Sequence, residues 1–283
     1  MGSYLILTLS IILWGSSVVA TRIAGFSIGP VALAFFRIAI AAVLMSAIRL
    51  FSKEKKKRPA GKDMKLIALS ALLGITFYYM IENLGIMMTA ASTASMISGS
   101  YPAITLALGF AFFHEKITVS RVAGILLSMA GIGVLTFSAG GSSSLPGIGL
   151  LVLDGVFWAL YNYMVQAISD ELDAFTISWY QTLWAALFYL PFLFLEKGGM
   201  PALDMTSILC ILYLGAGCST LAYILYNAGL RGVSAFAAAT LLNLMPLSGT
   251  VLSALILHET VSLRSWLGGA LIIAGVVIAN RRK

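Results

Sequence analysis

The sequence predicts an all-α integral membrane protein: ten transmembrane helices in two five-helix repeats of inverted topology. Three observations predict it. Of 283 residues, 60% are hydrophobic and only 10% are Asp, Glu, Lys or Arg, against about 25% charged residues in a soluble domain. Apolar stretches of membrane-crossing length follow one another with short connections. The second half of the chain repeats the first at a fixed offset. A mean hydropathy of +0.97 leaves too little polar surface for a soluble enzyme or nucleic-acid binder, despite a pI near 9.5.

A helix needs about 20 apolar residues to cross the hydrocarbon. Cutting at charges, glycines and prolines gives spans at 3–22, 31–51, 66–88, 92–113, 119–138, 147–168, 174–195, 205–228, 234–257 and 264–280. Span 1 has no basic region before its apolar run, so it reads as a retained span and not a cleaved leader. The one long polar connection, 52–65, precedes span 3 and carries Lys53, Lys55, Lys56, Lys57, Arg58, Lys62 and Lys65. Spans 4 and 9 begin in small-residue runs, Ala90 to Ala94 and Ser234 to Ala239. They hold Pro102 and Pro246 near their middles and end at His114-Glu115 and His258-Glu259. Each proline removes a helical hydrogen bond and bends its helix; such a bend is either static or a gate. Spans 5 and 10 carry Gly124 with Ser128 and Ser265 with Gly269, a small-xxx-small spacing that packs either a neighbouring helix or a second subunit. Monomer and homodimer both stay open.

Charge sets the orientation. With the 52–65 loop in the cytoplasm, 14 of the 18 Lys and Arg lie on the inner side, and both termini are cytoplasmic. The two His-Glu pairs then fall on opposite sides of the bilayer and cannot share a metal. They read as polar helix ends. Cys210 and Cys218 are eight residues apart on one helix, about 12 Å of rise, too far for a disulfide. No cofactor is expected.

Sliding the chain by 144 residues superposes Trp14 on Trp158, Asn83 on Asn227, Gly85 on Gly229, Pro102 on Pro246, His114-Glu115 on His258-Glu259, and Gly124 and Gly131 on Gly268 and Gly275, without a gap. The repeats are 1–140 and 146–283. Five spans per copy is odd, so the second copy enters the membrane inverted. Inverted repeats suit a secondary transporter, because two pseudo-equivalent halves can exchange inward-open and outward-open shapes.

The stretch Ala91-Ser92-Thr93-Ala94 through Pro102 to His114-Glu115-Lys116-Ile117-Thr118, then Gly124 and Ala130-Gly131, resembles the EamA repeat of the drug/metabolite transporter superfamily. Ala235 to Ala238, Pro246, His258-Glu259, Gly268 and Ala274-Gly275 repeat it. Arg37 stands where that repeat often has an arginine, opposite Gln181 in the second copy; where the repeat has Gly before Glu, both copies here have His. The resemblance covers essentially the whole chain. It implies ten helices and a cavity lined by spans 1, 3, 4, 6, 8 and 9, and it leaves the substrate open.

Three charges sit well inside spans: Arg37, Glu82 and Asp154. Such charges are costly in lipid and mark function by default. All three fall at one depth in the outer half of the membrane; their repeat-mates Gln181, Tyr226 and Ser10 are uncharged. Arg37 is expected to pair structurally with one carboxylate. The other acid is then a proton-coupling candidate. Asp154, Trp158 and Tyr161 share one helix face at i, i+4 and i+7, and Trp14 repeats the stripe on span 1. Tyr78 and Tyr79 precede Glu82 on its helix, while Tyr101 and Asn243 lie near the middles of spans 4 and 9. Midplane aromatics beside an acid suit an organic cation or an aromatic substrate; the plainer reading of each is core packing. Trp179, Trp184, Trp266 and Tyr4 read as core or interfacial belt.

The expected function is alternating-access transport of a small amphipathic metabolite such as an amino acid or amine across the cytoplasmic membrane of a prokaryotic-type cell, by export, with protons coupling through Glu82 or Asp154. Import of a cationic nutrient such as choline is the alternative. A passive channel or a membrane-embedded enzyme is the alternative of another class; no HExxH, GxSxG or P-loop supports an enzyme or ATP-driven pump. The partners are the bilayer and a small molecule, not nucleic acid.

Overall fold

The structure is a computed structural model, and it describes residues 2–25, 28–52, 57–88, 97–136, 144–195, 204–245, 247–248 and 263–281. Among these residues the regular secondary structure is entirely helical. In chain order the helices are α1 (Gly2–Gly25), α2 (Pro30–Phe51), α3 (Gly61–Ala71), α4 (Tyr78–Met87), α5 (Tyr101–Phe113), α6 (Val119–Thr136), α7 (Leu145–Gln166), α8 (Ala174–Leu195), α9 (Met205–Tyr213), α10 (Ala222–Leu230), α11 (Ala235–Leu241) and α12 (Leu263–Ala279). Two π-helical segments, Leu72–Phe77 and Leu214–Leu221, join α3 to α4 and α9 to α10. Among the described residues four stretches are long and apolar enough to cross a bilayer: Val31–Phe51, Gly61–Glu82, Leu145–Gln166 and Met205–Leu230. Pro246, the His258-Glu259 pair and the run Ala90 to Ala94 lie outside the described residues.

Burial follows the chemistry of a lipid-facing protein. Val43, Phe112, Leu126, Phe194 and Val277 are exposed, while Asp154, Asn162, Gln181 and Asn227 are fully buried. Water would reverse that distribution.

Several local expectations change. The third helix begins at Gly61 and not at 66, so Lys62 and Lys65 ride on its first turns. Extended Ala60 starts it, and Asp63 in the first turn complements the positive end of its dipole. Pro102 is not mid-helix: it lies in the first turn of α5, where its missing N–H costs nothing. Ser100 before it bonds back three residues, to Ile97 O. The second copy breaks close to the matching place. α11 stops at Leu241, and Leu242 and Asn243 bond back to Ala239 and Thr240. Asn243 therefore sits in a turn, not within a helix. His114 closes α5 in the left-handed conformation at φ 55°; its N–H and that of Glu115 both reach Gly109 O. Glu115 then pairs with Arg121 at 2.9 Å. The first His-Glu pair is thus a helix stop that anchors the following helix.

The chain forms two compact units, and neither coincides with a sequence repeat. One comprises Met1–Met80 and Tyr163–Gly232; the other Ile81–Asn162 and Val233–Lys283. Each draws on both copies.

In the first unit α1 runs antiparallel to the α9–α10 path. Ser10 donates to Ala222 O at 2.8 Å and the Trp14 indole to Cys218 O at 2.9 Å. Residue numbers rise along one helix as they fall along the other. A π-helical turn loosens carbonyls from the ordinary ladder, and the Trp14 indole reaches one of them at Cys218. The first-copy π segment is served in the same way, by Tyr189 OH on α8, 3.2 Å from both Ile75 O and Thr76 O. At one end of this unit Asp63 accepts the Ser169 N–H, Lys57 meets Glu171 at 3.0 Å, and Arg231 donates to Ser169 O. Lys57 and Asp63, the acidic turn 169–173 and the turn after α10 therefore share one face.

In the second unit α6 and α12 form an antiparallel seam of small residues. A Cβ on Gly124 would lie 2.6 Å from Gly275 O, and one on Gly131 would lie 2.6 Å from Gly268 O. Gly268 and Gly275 are the repeat-mates of Gly124 and Gly131, so the seam pairs each copy with the other about a local two-fold. The small-xxx-small spacing of Gly124 and Ser128 is filled by α12 of the same chain. Leu106, Ile125, Phe236 and Ala279 cluster beside it, with the Arg121 guanidinium 4.7 Å over the Phe236 ring.

Candidate functional site

The anticipated residues divide between the units: Trp14, Arg37, Tyr78 and Tyr79 in the first; Glu82, Tyr101, Asp154, Trp158, Tyr161 and Asn243 in the second.

The second-unit group is built on Asp154 of α7, whose side chain is fully buried. Tyr101 opens α5 directly after the break before Pro102, and its hydroxyl donates to Asp154 Oδ2 at 2.6 Å. Gly155 permits that approach, because a Cβ there would lie 2.7 Å from the Tyr101 ring and from Ile104. Asp154 Oδ1 is buried without a hydrogen-bond partner among the described residues. Half-buried Glu82 is close enough for the two carboxyls to interact electrostatically. One turn further along α7, the Trp158 and Tyr161 rings stack at 5.2 Å and 17°, as the i+4 and i+7 spacing anticipates. Asn243 is 2% exposed, and its Nδ2 has no hydrogen-bond partner among the described residues.

The first-unit group surrounds the π segment Leu214–Leu221. Trp14 is buried against Tyr223 and Tyr226, with ring centroids 5.2 and 4.9 Å away. Tyr223 OH donates to Tyr79 OH at 3.3 Å. These tyrosines are repeat-mates, 144 residues apart. Tyr78 packs edge-on against Tyr79 at 5.4 Å. Arg37 is 5% exposed; its Nε donates to Ser219 Oγ at 2.8 Å and its guanidinium lies 4.8 Å from the Tyr79 ring centroid. Here the expectation is corrected: among the described residues a hydroxyl and a ring hold Arg37, with no ion pair. An ion pair needs a carboxylate at the height and on the face of the guanidinium, and depth estimated from residue counts cannot supply the face.

Sequence reasoning missed Tyr223, Tyr226, Ser219 and Tyr189. Tyr223 was legible as the repeat-mate of Tyr79. The others depend on which helices dock. Trp179 and Trp184 are half-buried, donating to Ser46 Oγ and Met64 Sδ, and Trp266 is 62% exposed. Among the described residues no three His, Cys, Asp or Glu side chains gather as a metal site, and both cysteines are free.

An apolar helical exterior over buried polar clusters defines an integral membrane protein. The chain matches the EamA-like transporter family twice, over residues 1–137 and 145–281, and it belongs to that family; it is a transporter and not an enzyme. It is 26% identical to an uncharacterized transporter of Archaeoglobus fulgidus, over 99% of this chain and 98% of that one. It is 24% identical to a probable terminal-alkyne amino-acid exporter of Streptantibioticus cattleyicolor, over 98% and 92%. A solved crystal structure, 19% identical, shares the fold with a TM-score of 0.83 over 98% of this chain and 96% of its own.

Proposed function

We propose that this protein is a ten-span secondary transporter, built as two inverted five-helix repeats at 1–140 and 146–283, that exports an amino acid or amine by alternating access in exchange for protons. Both termini face the cytoplasm in this reading. The antiparallel pairing of repeat-mates in the α6–α12 seam supports the inversion. The likeness to a probable amino-acid exporter supports the substrate class and the direction.

The observation that carries the coupling is the buried Asp154 carboxyl, with one oxygen on the Tyr101 hydroxyl, the other without a hydrogen-bond partner among the described residues, and Glu82 nearby. A bare, buried carboxylate oxygen costs several kcal/mol, and a proton or a cationic group removes that cost. Alternate occupation by a proton and by a substrate ammonium is what antiport requires. Trp158 and Tyr161 offer an aromatic face beside it, and Asn243 a further amide within the same unit.

Glu82→Gln and Asp154→Asn test this in proteoliposomes. The amide variant of the coupling acid keeps substrate exchange and loses accumulation driven by a pH gradient. If both variants retain full pH-driven accumulation, the carboxyls are structural and the coupling is refuted. Flux in the wild type that only equilibrates would identify a channel.

A further inference from the structure

We propose that Arg37, with Ser219 beside it, is a carboxylate-binding subsite for the transported molecule; this rests on the transport reading and narrows its substrate to acids. Arg37 stays protonated at any physiological pH, yet it is buried and its Nη2 has no hydrogen-bond partner among the described residues. The titratable groups acting on it are Tyr79 on α4, Cys218 in the π segment, Tyr223 on α10 and Tyr189 on α8. None of the four is a carboxylate. Among the described carboxylates of this unit, Asp63, Asp173 and Asp204 accept backbone N–H groups at helix ends, and Glu171 meets Lys57.

The site is built for close approach. A Cβ on Gly215 would lie 2.5 Å from Ile40 and 3.2 Å from Arg37 O, so glycine lets α2 settle directly on the π segment. Docking of this kind does not itself demand a charge. At the repeat-mate position Gln181 performs it with a neutral amide, donating to Ser70 Oγ and accepting from Asn227 Nδ2, each at 2.8 Å. The charge at Arg37 is therefore surplus to packing. A carboxylate bridging Nη2 and the Ser219 hydroxyl would supply the missing anion and acceptor together.

The test pairs acids with the amines that lack their carboxylate: L-phenylalanine with 2-phenylethylamine, and L-leucine with 3-methylbutylamine. Thermal stabilisation of purified protein and flux in proteoliposomes are measured for the wild type, Arg37→Met and Arg37→Lys. The acids are expected to stabilise the wild type more than the amines do. Arg37→Met should melt no lower than the wild type without ligand, because an apolar residue replaces an uncompensated charge. It should bind the acids about 10- to 100-fold more weakly, the worth of a charge-assisted hydrogen bond. Arg37→Lys, which keeps the charge and loses the fork, should fall between.

Equal response of the wild type to acids and amines, with a lower melting temperature for Arg37→Met, overturns the subsite and leaves the transport reading standing. Acid binding through Arg37 without flux of any of the four compounds overturns transport and leaves the subsite. No binding and no flux overturns both. Should Arg37→Met not be recovered folded, undiminished acid selectivity in Arg37→Lys overturns the subsite.

Discussion

The α6–α12 seam offers the sharpest energetic test, because the same substitution should act in opposite directions at two glycines of one unit. In Gly131→Ala the new methyl would lie 2.6 Å from Gly268 O and 2.8 Å from Ile272 N. Ordinary contact is at about 3.5–4.0 Å, so the methyl intrudes by about 1 Å. The obstacles are backbone atoms, which cannot rotate away as a side chain end would. The helices must part by a comparable distance, and a gap of about 0.5–1 Å forfeits a quarter to a half of each dispersion contact along the seam. Overpacking of this size costs about 1–3 kcal/mol, partly offset by up to about 1 kcal/mol of helix propensity gained with alanine. The expected net is a loss of about 1–2 kcal/mol. In Gly149→Ala, on α7, the methyl meets nothing within 4 Å; only the propensity remains, a gain of up to about 1 kcal/mol. Thermal unfolding in detergent, followed by tryptophan fluorescence, should rank the proteins Gly149→Ala, wild type, Gly131→Ala. Indistinguishable melting of the two variants would refute the close approach of these helices.

Trp14→Ala should lower stability by about 3–5 kcal/mol, because it opens a cavity beside Tyr223 and Tyr226 and strands Cys218 O; Trp14→Phe, measured alongside, should recover most of the packing. The exposed Asp204 carboxyl, which caps α9 through the Ser207 N–H, is held below its ordinary value, first by hydrogen bonding to Ser207. A lowered folded pKa gives stability that is complete above the unfolded value, near pH 4, and lost as the pH falls through the folded one. The protection of the Ser207 amide, taken relative to its intrinsic exchange at each pH, should therefore fall on acidification in the wild type and stay level in Asp204→Asn. Cysteines replacing Gly61 and Glu171 should react with an impermeant thiol reagent from one side only, the inside, since both lie by the face that joins Lys57 to Glu171; labelling from opposite sides would break that face.

How much could be read in advance depended on whether the cause was local. The apolar runs, the 144-residue register, the His114-Glu115 helix end and the Asp154–Trp158–Tyr161 stripe are set by residues adjacent in sequence or by direct comparison of the copies. Hydropathy and helical period suffice for them. Pro102 was legible as a break in its span but not in its role: it begins a helix after the break, because a residue without an N–H is tolerated in the first turn and not beyond it.

Partnership was the tertiary structure's decision. Arg37 meets Ser219 across 182 residues and Tyr101 meets Asp154 across 53, and the compact units cut across both repeats. The two π segments fall at overlapping places in the copies, yet no run of residue types announces them; donors on other helices, Trp14 and Tyr189, reach carbonyls within them. A helix that is apolar around most of its circumference carries no mark of which face meets protein and which meets lipid. Small residues, freed carbonyls and a few buried polar groups choose the neighbour, and that choice exists only once all the helices are present.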